Sequence, residues 1–278
     1  MKVLPPEQYS IALSALKSVE VNHLFAKAVL LHHVTGKVYT DDISLPQAFY
    51  IVHPYGMSLL FGKVSDEFLN NDLKHYCLGT CGTREQTEWL QVFPAELQRR
   101  VEECFDNKLS ELDANDLPLD AHAKVVKHVR VNFAFDRNKY QQYRSEIQLD
   151  DFNCVAVDKV AFGRIQGSVI PARFWNNADE FFTRSIGFSL KVDDVNVATS
   201  FAAFLMDGKL ELGMETDSQH RNRGFGSIIT ARLIEHAFEN QLEPIWSCRK
   251  GNKGSFNLAQ KLGFEPTLEL PFYELRLV

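Results

Sequence analysis

Residues 221–226 read Arg-Asn-Arg-Gly-Phe-Gly and form the chemically densest stretch of the chain. Strand-like residues 209–216 precede them, and Phe225, Ile228, Ile229, Leu233, Ala237 and Phe238 follow at helical spacing. The first N–H groups of a helix have no partner inside it, and the helix dipole adds positive potential there. Glycine at 224 and 226 lets backbone approach an anion with no Cβ in the way. Arg221, Arg223 and His220 add side-chain charge. A charge-assisted hydrogen bond contributes about 1.5–3 kcal/mol. Several together would hold a pyrophosphate in the micromolar range, roughly −8 kcal/mol. No Gly-Lys-Ser/Thr follows, so this is not a lysine-bearing phosphate loop. A dinucleotide fingerprint would want glycine where Arg221 stands. The plainer alternative is a helix that begins with glycines and surface arginines, and these six residues alone leave it open.

The strand before this turn carries two carboxylates. Strict alternation puts Glu211, Gly213 and Glu215 on one face and Leu210, Leu212, Met214 and Thr216 on the other, unless a bulge shifts the parity. The other chemical residue types give weaker signals. Cys77-x-x-x-Cys81 near His75 has no second ligand pair, so no metal is expected. Cys248, beside Trp246, reads as a small buried side chain. The five cysteines are scattered, which suits a reducing compartment. The N-terminus lacks a signal-peptide core and no apolar run reaches membrane-spanning length, so a cytoplasmic protein is expected, without a membrane partner. With 30 Lys+Arg against 36 Asp+Glu, the net charge of −6 argues against broad nucleic-acid binding.

The elements that must position these residues follow from periodicity. Two helices are predicted over 7–34. A hairpin of 47–53 and 57–64 turns at Pro54-Tyr55-Gly56, and a helix covers 84–105. The polar stretch 106–123 reads as a linker or long connection. A strand over 125–135 and a helix over 137–147 come next. Strands at 184–192, 195–206 and 209–216 precede a helix at 223–240, a strand at 244–248, a helix at 253–262 and a terminal strand pair within 264–278. This order predicts a mixed α/β (α+β) fold in two domains, 1–120 and 121–278.

The segment 210–226 resembles motif A of the GCN5-related N-acetyltransferases (GNAT), in which Gln/Arg-x-x-Gly-x-Gly/Ala follows a strand. The resemblance continues through Pro244-Ile-Trp-Ser-Cys248, then Asn252 with Ser255 to Leu258, then Leu262-Gly263-Phe264. Glu211 and Thr216, with Pro244, Trp246, Cys248, Asn252 and Ser255 and an upstream Pro171…Phe174-Trp175 element, resemble the branch typified by the zwittermicin A self-resistance acetyltransferase. The resemblance implies a GNAT-like C-terminal domain with a central mixed sheet flanked by helices. It also allows the helical and hairpin N-terminal half to be a degenerate second copy. Acetyl-CoA, as co-substrate, would lie between two splayed parallel strands. Amides from Arg221, Asn222, Arg223, Gly224, Phe225, Gly226 and Ser227 would hold its pyrophosphate. The backbone of Met214, Glu215 and Thr216 would pair with the pantetheine arm and polarise the thioester carbonyl, and Asn252 would bind the arm.

The acceptor would be a small-molecule primary amine attacking directly in a ternary complex. Such an amine titrates near 10.4, so deprotonating it at neutral pH costs about 4–5 kcal/mol, which makes a carboxylate base useful. Glu211 and Glu215 are the candidates, and Glu211, which matches the branch and lies upstream of the thioester, is the expected base. Many family members place a general-acid tyrosine four residues before the Gly-Phe pair, where this chain has Ala259. That leaves Ser255, Cys248 and Tyr273 as groups able to protonate the departing thiolate, with Ser255 the expected one. The alternative is a catalytically silent acyl-CoA-binding regulatory module.

Overall fold

The computed structural model describes residues 1–277. The chain divides into two compact units. Met1–Arg130, Arg249–Gly251 and the residues from Glu269 onward form unit 1, and Val131–Cys248 with Asn252–Leu268 form unit 2. Among the described residues, no helix is long and apolar enough to cross a membrane.

Unit 1 opens with β1 (Lys2–Val3), α1 (Tyr9–Leu16) and α2 (Leu24–Leu30). Strands β2 (Lys37–Thr40), β3 (Ala48–Val52) and β4 (Met57–Gly62) then pair antiparallel in sequence order, which includes the expected hairpin. Gly56 closes its turn at φ +92°, and a Cβ there would come 2.8 Å from the Thr87 carbonyl oxygen. A π-helical turn (Phe68–Leu73) leads into the short α3 (Lys74–Cys77), then β5 (Glu88–Val92), α4 (Ala95–Phe105), β6 (Leu109–Ser110) and β7 (Val125–Phe135).

The single helix expected over 84–105 is corrected by this order: Glu88–Val92 is a strand and the helix starts at Ala95. Leu90, Phe93 and Leu97 imitate helical spacing, but the residue before a proline is pushed toward extended backbone. Pro94 itself sits at the N-cap with φ −74° and ψ 173°. The stretch 106–123 is an ordered connection, in which Leu112 bridges Pro118 and the Asp113 carboxylate accepts from the Asn115 and Leu117 amides.

Unit 2 continues through α5 (Arg137–Ser145), β8 (Asn153–Ala156), α6 (Lys159–Arg164), α7 (Pro171–Phe174), α8 (Ala178–Arg184), β9 (Gly187–Val192), β10 (Val195–Met206) and β11 (Lys209–Thr216). It ends with α9 (Phe225–Glu239), β12 (Glu243–Arg249), α10 (Lys253–Lys261) and β13 (Phe264–Leu275). Strands β7 and β13 contribute residues to both units. The expected terminal strand pair is one strand, because its prolines at 266 and 271 carry a φ that extended backbone tolerates. Strands β8 to β11 are antiparallel neighbours, and β12 lies parallel to β11.

Both units therefore repeat one topology: helices, three antiparallel strands, a helical segment, a strand parallel to the third, a helix and a further strand. They differ where the parallel strands meet. In unit 1, β4 and β5 pair from Met57↔Trp89 to Leu60↔Val92, and Phe93 N–H still donates to the Leu60 carbonyl beyond the last pair. In unit 2, β11 and β12 pair only at Lys209↔Glu243, Leu210↔Pro244 and Glu211↔Ile245, after which each strand runs on alone with respect to the other.

The closed unit 1 buries a polar cluster beside that zipped pair. Glu88 is 2% exposed and accepts hydrogen bonds from the Tyr50 and Tyr76 hydroxyls, each at 2.6 Å. Burial pushes its carboxyl above the ordinary value, and the two tyrosine hydrogen bonds pull it back only in part. The folded chain thus holds this proton more tightly than the unfolded chain. Its contribution to stability is complete below the ordinary carboxylate pKa and is lost as pH rises through the raised value. Thermal unfolding of Glu88→Gln and wild type, compared from about pH 4 to about pH 7, is expected to show the variant gaining relative Tm as pH rises. A constant difference would mean that the carboxyl titrates as it does in the unfolded chain.

Candidate active site

The expected parity of β11 holds, because the bulge lies in its neighbour. The β10–β11 register shifts between Ala202 and Phe204, opposite Leu212 and Glu211. A bulge bends its strand and sharpens local twist, and this one sits at the step where β11 leaves β12. On one face of β11, Met214 and Thr216 lie against the first turn of α9. A Cβ added to Gly226 would stand 3.1 Å from Thr216 Oγ1 and 3.3 Å from Met214 Sδ. On the other face Gly213 separates Glu211 from Glu215. A Cβ there would meet the Phe201 ring at 2.6 Å, so the position between the two carboxylates admits only glycine without repacking.

Glu211 is 6% exposed, and its Oε1 accepts a 2.8 Å hydrogen bond from the Ser247 hydroxyl of β12. The bond spans the two strands just beyond their last backbone pair. Sequence reading misses Ser247, since nothing local marks a serine whose partner lies 36 residues earlier.

The turn from β11 to α9 is built by local capping. Asp217 accepts from the Gln219 N–H and pairs with His220, whose hydrogen bond is the main cause holding the Asp217 carboxyl below its ordinary range. Asn222 and Gly224 adopt φ +62° and +83°. Open space surrounds Gly224, so its requirement is the left-handed backbone, whereas that of Gly226 is steric. Gly224 is the N-cap and supplies no side-chain acceptor, leaving the first turn to backbone amides. Ser227 is buried and returns its hydroxyl to the Gly224 carbonyl at 2.7 Å. Phe225 is half-buried, and Asn222 and Arg223 are exposed. Arg221 folds back, donating Nε–H to the Thr216 carbonyl and Nη2–H to Glu215 Oε1, both at 3.2 Å.

Glu215 is thereby engaged from both sides. Its Oε2 accepts from Ser168 N–H at 2.8 Å, Ser168 Oγ at 3.1 Å and Val169 N–H at 3.1 Å. Gly167, at φ +140°, lets the loop between α6 and α7 close over that carboxylate, since a Cβ would fall 2.6 Å from Oε2. The Gly-Ser pair at 167–168 is the only local hint of this loop.

On β12, adjacent residues serve opposite faces. Ser247 reaches Glu211, while the Trp246 indole donates to Ser255 Oγ at 3.2 Å. Ser255 and Glu211 therefore meet β12 from opposite sides. The Asn252 side chain caps α10 by accepting from Ser255 N–H at 3.1 Å. Ala259 and Cys248 are buried. The Tyr273 hydroxyl, in unit 1, donates to Glu102 at 2.7 Å. Among the described residues no cluster of His, Cys, Asp and Glu is arranged to hold a metal ion.

The family model for GNAT acetyltransferases matches residues 15–273, and the chain belongs to that family. It is 23% identical over 252 residues to the uncharacterized N-acetyltransferase YdfB of Bacillus subtilis (strain 168), an alignment covering 90% of this chain and 89% of the relative. A GCN5-related N-acetyltransferase-like protein from Streptococcus suis 89/1591 shares the fold at TM-score 0.69 and 17% identity, with 98% of this chain and 100% of that one covered. A tandem GNAT protein from the clavulanic acid biosynthesis pathway does so at 0.56 and 10% identity, with 100% and 98% covered, in keeping with two copies of one topology.

Removing the Glu215 carboxylate strips the 166–169 loop of its acceptor. Glu215→Ala is expected to lower stability by about 1 kcal/mol, the exposed amides turning to water. It should also speed tryptic cleavage after Arg164, read by mass spectrometry of the timed digest. Cleavage at the wild-type rate would show that the loop is held by other contacts.

Proposed function

We propose that the protein is an N-acetyltransferase that moves an acetyl group from acetyl-CoA to a primary amine by direct attack in a ternary complex. The observation that carries this reading is the parting of β11 from β12 directly after Glu211, which leaves the β12-facing backbone of Leu212–Thr216 without a strand partner from β12. Buried backbone groups need partners, and an extended amide-bearing pantetheine arm supplies them strand-fashion. The residues fit such a ligand. The amides of Arg221 to Gly226 and the Arg221 and Arg223 side chains offer an anion cradle at the end of the gap, whereas the Ser227 N–H is bound to the Gly224 carbonyl, and Asn252 and Ser255 stand at the start of α10 beside β12.

Acetyl-CoA supplies the activated acetyl group. In this reading the β11 amides near Met214 polarise the carbonyl under attack. Glu211 takes one proton of the incoming ammonium, and Ser255, oriented by Trp246, donates to the departing sulfur and is restored by the second proton that the nitrogen sheds. Ala259 leaves that last step without the usual tyrosine, and a thiolate is a fair leaving group without it. Glu211 with Thr216, and Pro244, Trp246 and Cys248, support a place in the zwittermicin A self-resistance branch. The net charge of −6 suits a cationic acceptor.

Calorimetric titration is the first test. Acetyl-CoA is expected to bind in the micromolar range and far more tightly than ADP or inorganic phosphate. No binding at millimolar acetyl-CoA would overturn the transferase reading. Glu211→Gln is expected to lower kcat roughly 100-fold or more, with the KM for acetyl-CoA little changed. Tight binding without thiol release from any amine would instead favour a silent acyl-CoA-binding module.

A further inference from the structure

We infer that Ser247 is the positioning residue for Glu211, an inference that rests on the proposed function. Three features of unit 2 carry it. The Ser247 hydroxyl donates to Glu211 Oε1 at 2.8 Å, and Glu211 is 6% exposed, so little water competes for that oxygen. The bond lies immediately past Glu211↔Ile245, the last backbone pair of β11 and β12, where no ladder remains to fix the spacing of the strands. Strand alternation also commits Ser247 to the Glu211 face, because its neighbour Trp246 is bound to Ser255 on the opposite one.

A glutamate turns about three side-chain torsions, and burial alone does not set the plane of its carboxylate. Holding Oε1 from the far strand fixes that plane, and with it the direction from which a proton can be accepted. In the transfer, one ammonium proton passes to Glu211, the N–C bond forms, the C–S bond breaks with its electron pair leaving on sulfur, and the second proton that the nitrogen sheds ends on that sulfur. Ser247 exchanges no proton in this sequence. It keeps Glu211 aligned at the fork, and misalignment by about an ångström can cost two orders of magnitude in rate.

The test is a double-mutant cycle on the full chain, with acetyl-CoA and whichever amine gives turnover. Ser247→Ala is expected to lower kcat roughly 10- to 100-fold, with the KM for acetyl-CoA within about twofold and Tm lowered by a few degrees, as one lost hydrogen bond to a buried carboxylate predicts. Ser247→Thr, which keeps the hydroxyl and suits a strand, should restore most of kcat. In the Glu211→Gln background, Ser247→Ala should add nothing. If it lowers kcat there as much as in wild type, or if threonine fails to rescue, Ser247 acts through something other than Glu211. If Glu211→Gln itself leaves kcat unchanged, the base assignment fails and takes this role with it. That outcome is distinct from one in which only the coupling is missing.

Discussion

The separation of two parallel strands governs the rest of unit 2. A parallel ladder that stops short exposes backbone N–H and C=O groups, and these are costly to leave unsatisfied when partly buried. Several packing choices maintain that opening. The β10 bulge bends the sheet at the step where the strands part. Gly213 yields its space to Phe201, which packs in turn on Phe174. Gly226 lets α9 begin close against Met214 and Thr216. Each places a small or an extra residue beside the strand that leaves the ladder.

The charge arrangement follows from that geometry. A chain with net charge −6 places Arg221 and Arg223 at a helix start with no side-chain acceptor of its own. Glu215 answers one of these arginines and also collects three hydrogen bonds from the loop at 168–169. The two glutamates of β11 thus serve different ends although they share a face. One is tied across the strand gap by the Ser247 hydroxyl, and the other accepts from Arg221 on one side and from the 168–169 loop on the other.

What could be read from the sequence is what is local. The helix start at 224–226, the parity of 209–216, the hairpin at 47–64 and the strand-turn-helix order after 187 all rest on periodicity or on residues a few positions apart. The strand at Glu88–Val92 was obscured because Leu90, Phe93 and Leu97 imitate a helix face across Pro94. Its identity is set by pairing with Met57–Leu60 and with Tyr273–Leu275, distant in sequence. Ser247 on Glu211 and Ser168 on Glu215 were hidden for the same reason, being 36 and 47 residues from their partners. The short helices between 159 and 184 show too few turns for periodicity to register.

The repeat of one topology with a gap in one copy and a continuous ladder in the other has a consequence for binding behaviour. Homotropic cooperativity requires at least two equivalent sites whose occupancies are coupled. With the β4–β5 pair zipped through Leu60↔Val92, unit 1 offers a strand-gap ligand no counterpart to the opening beside Glu211. If the gap binds as proposed, its saturation in an isolated chain is therefore expected to be hyperbolic. A sigmoidal dependence on such a ligand would report association between chains and not communication within one.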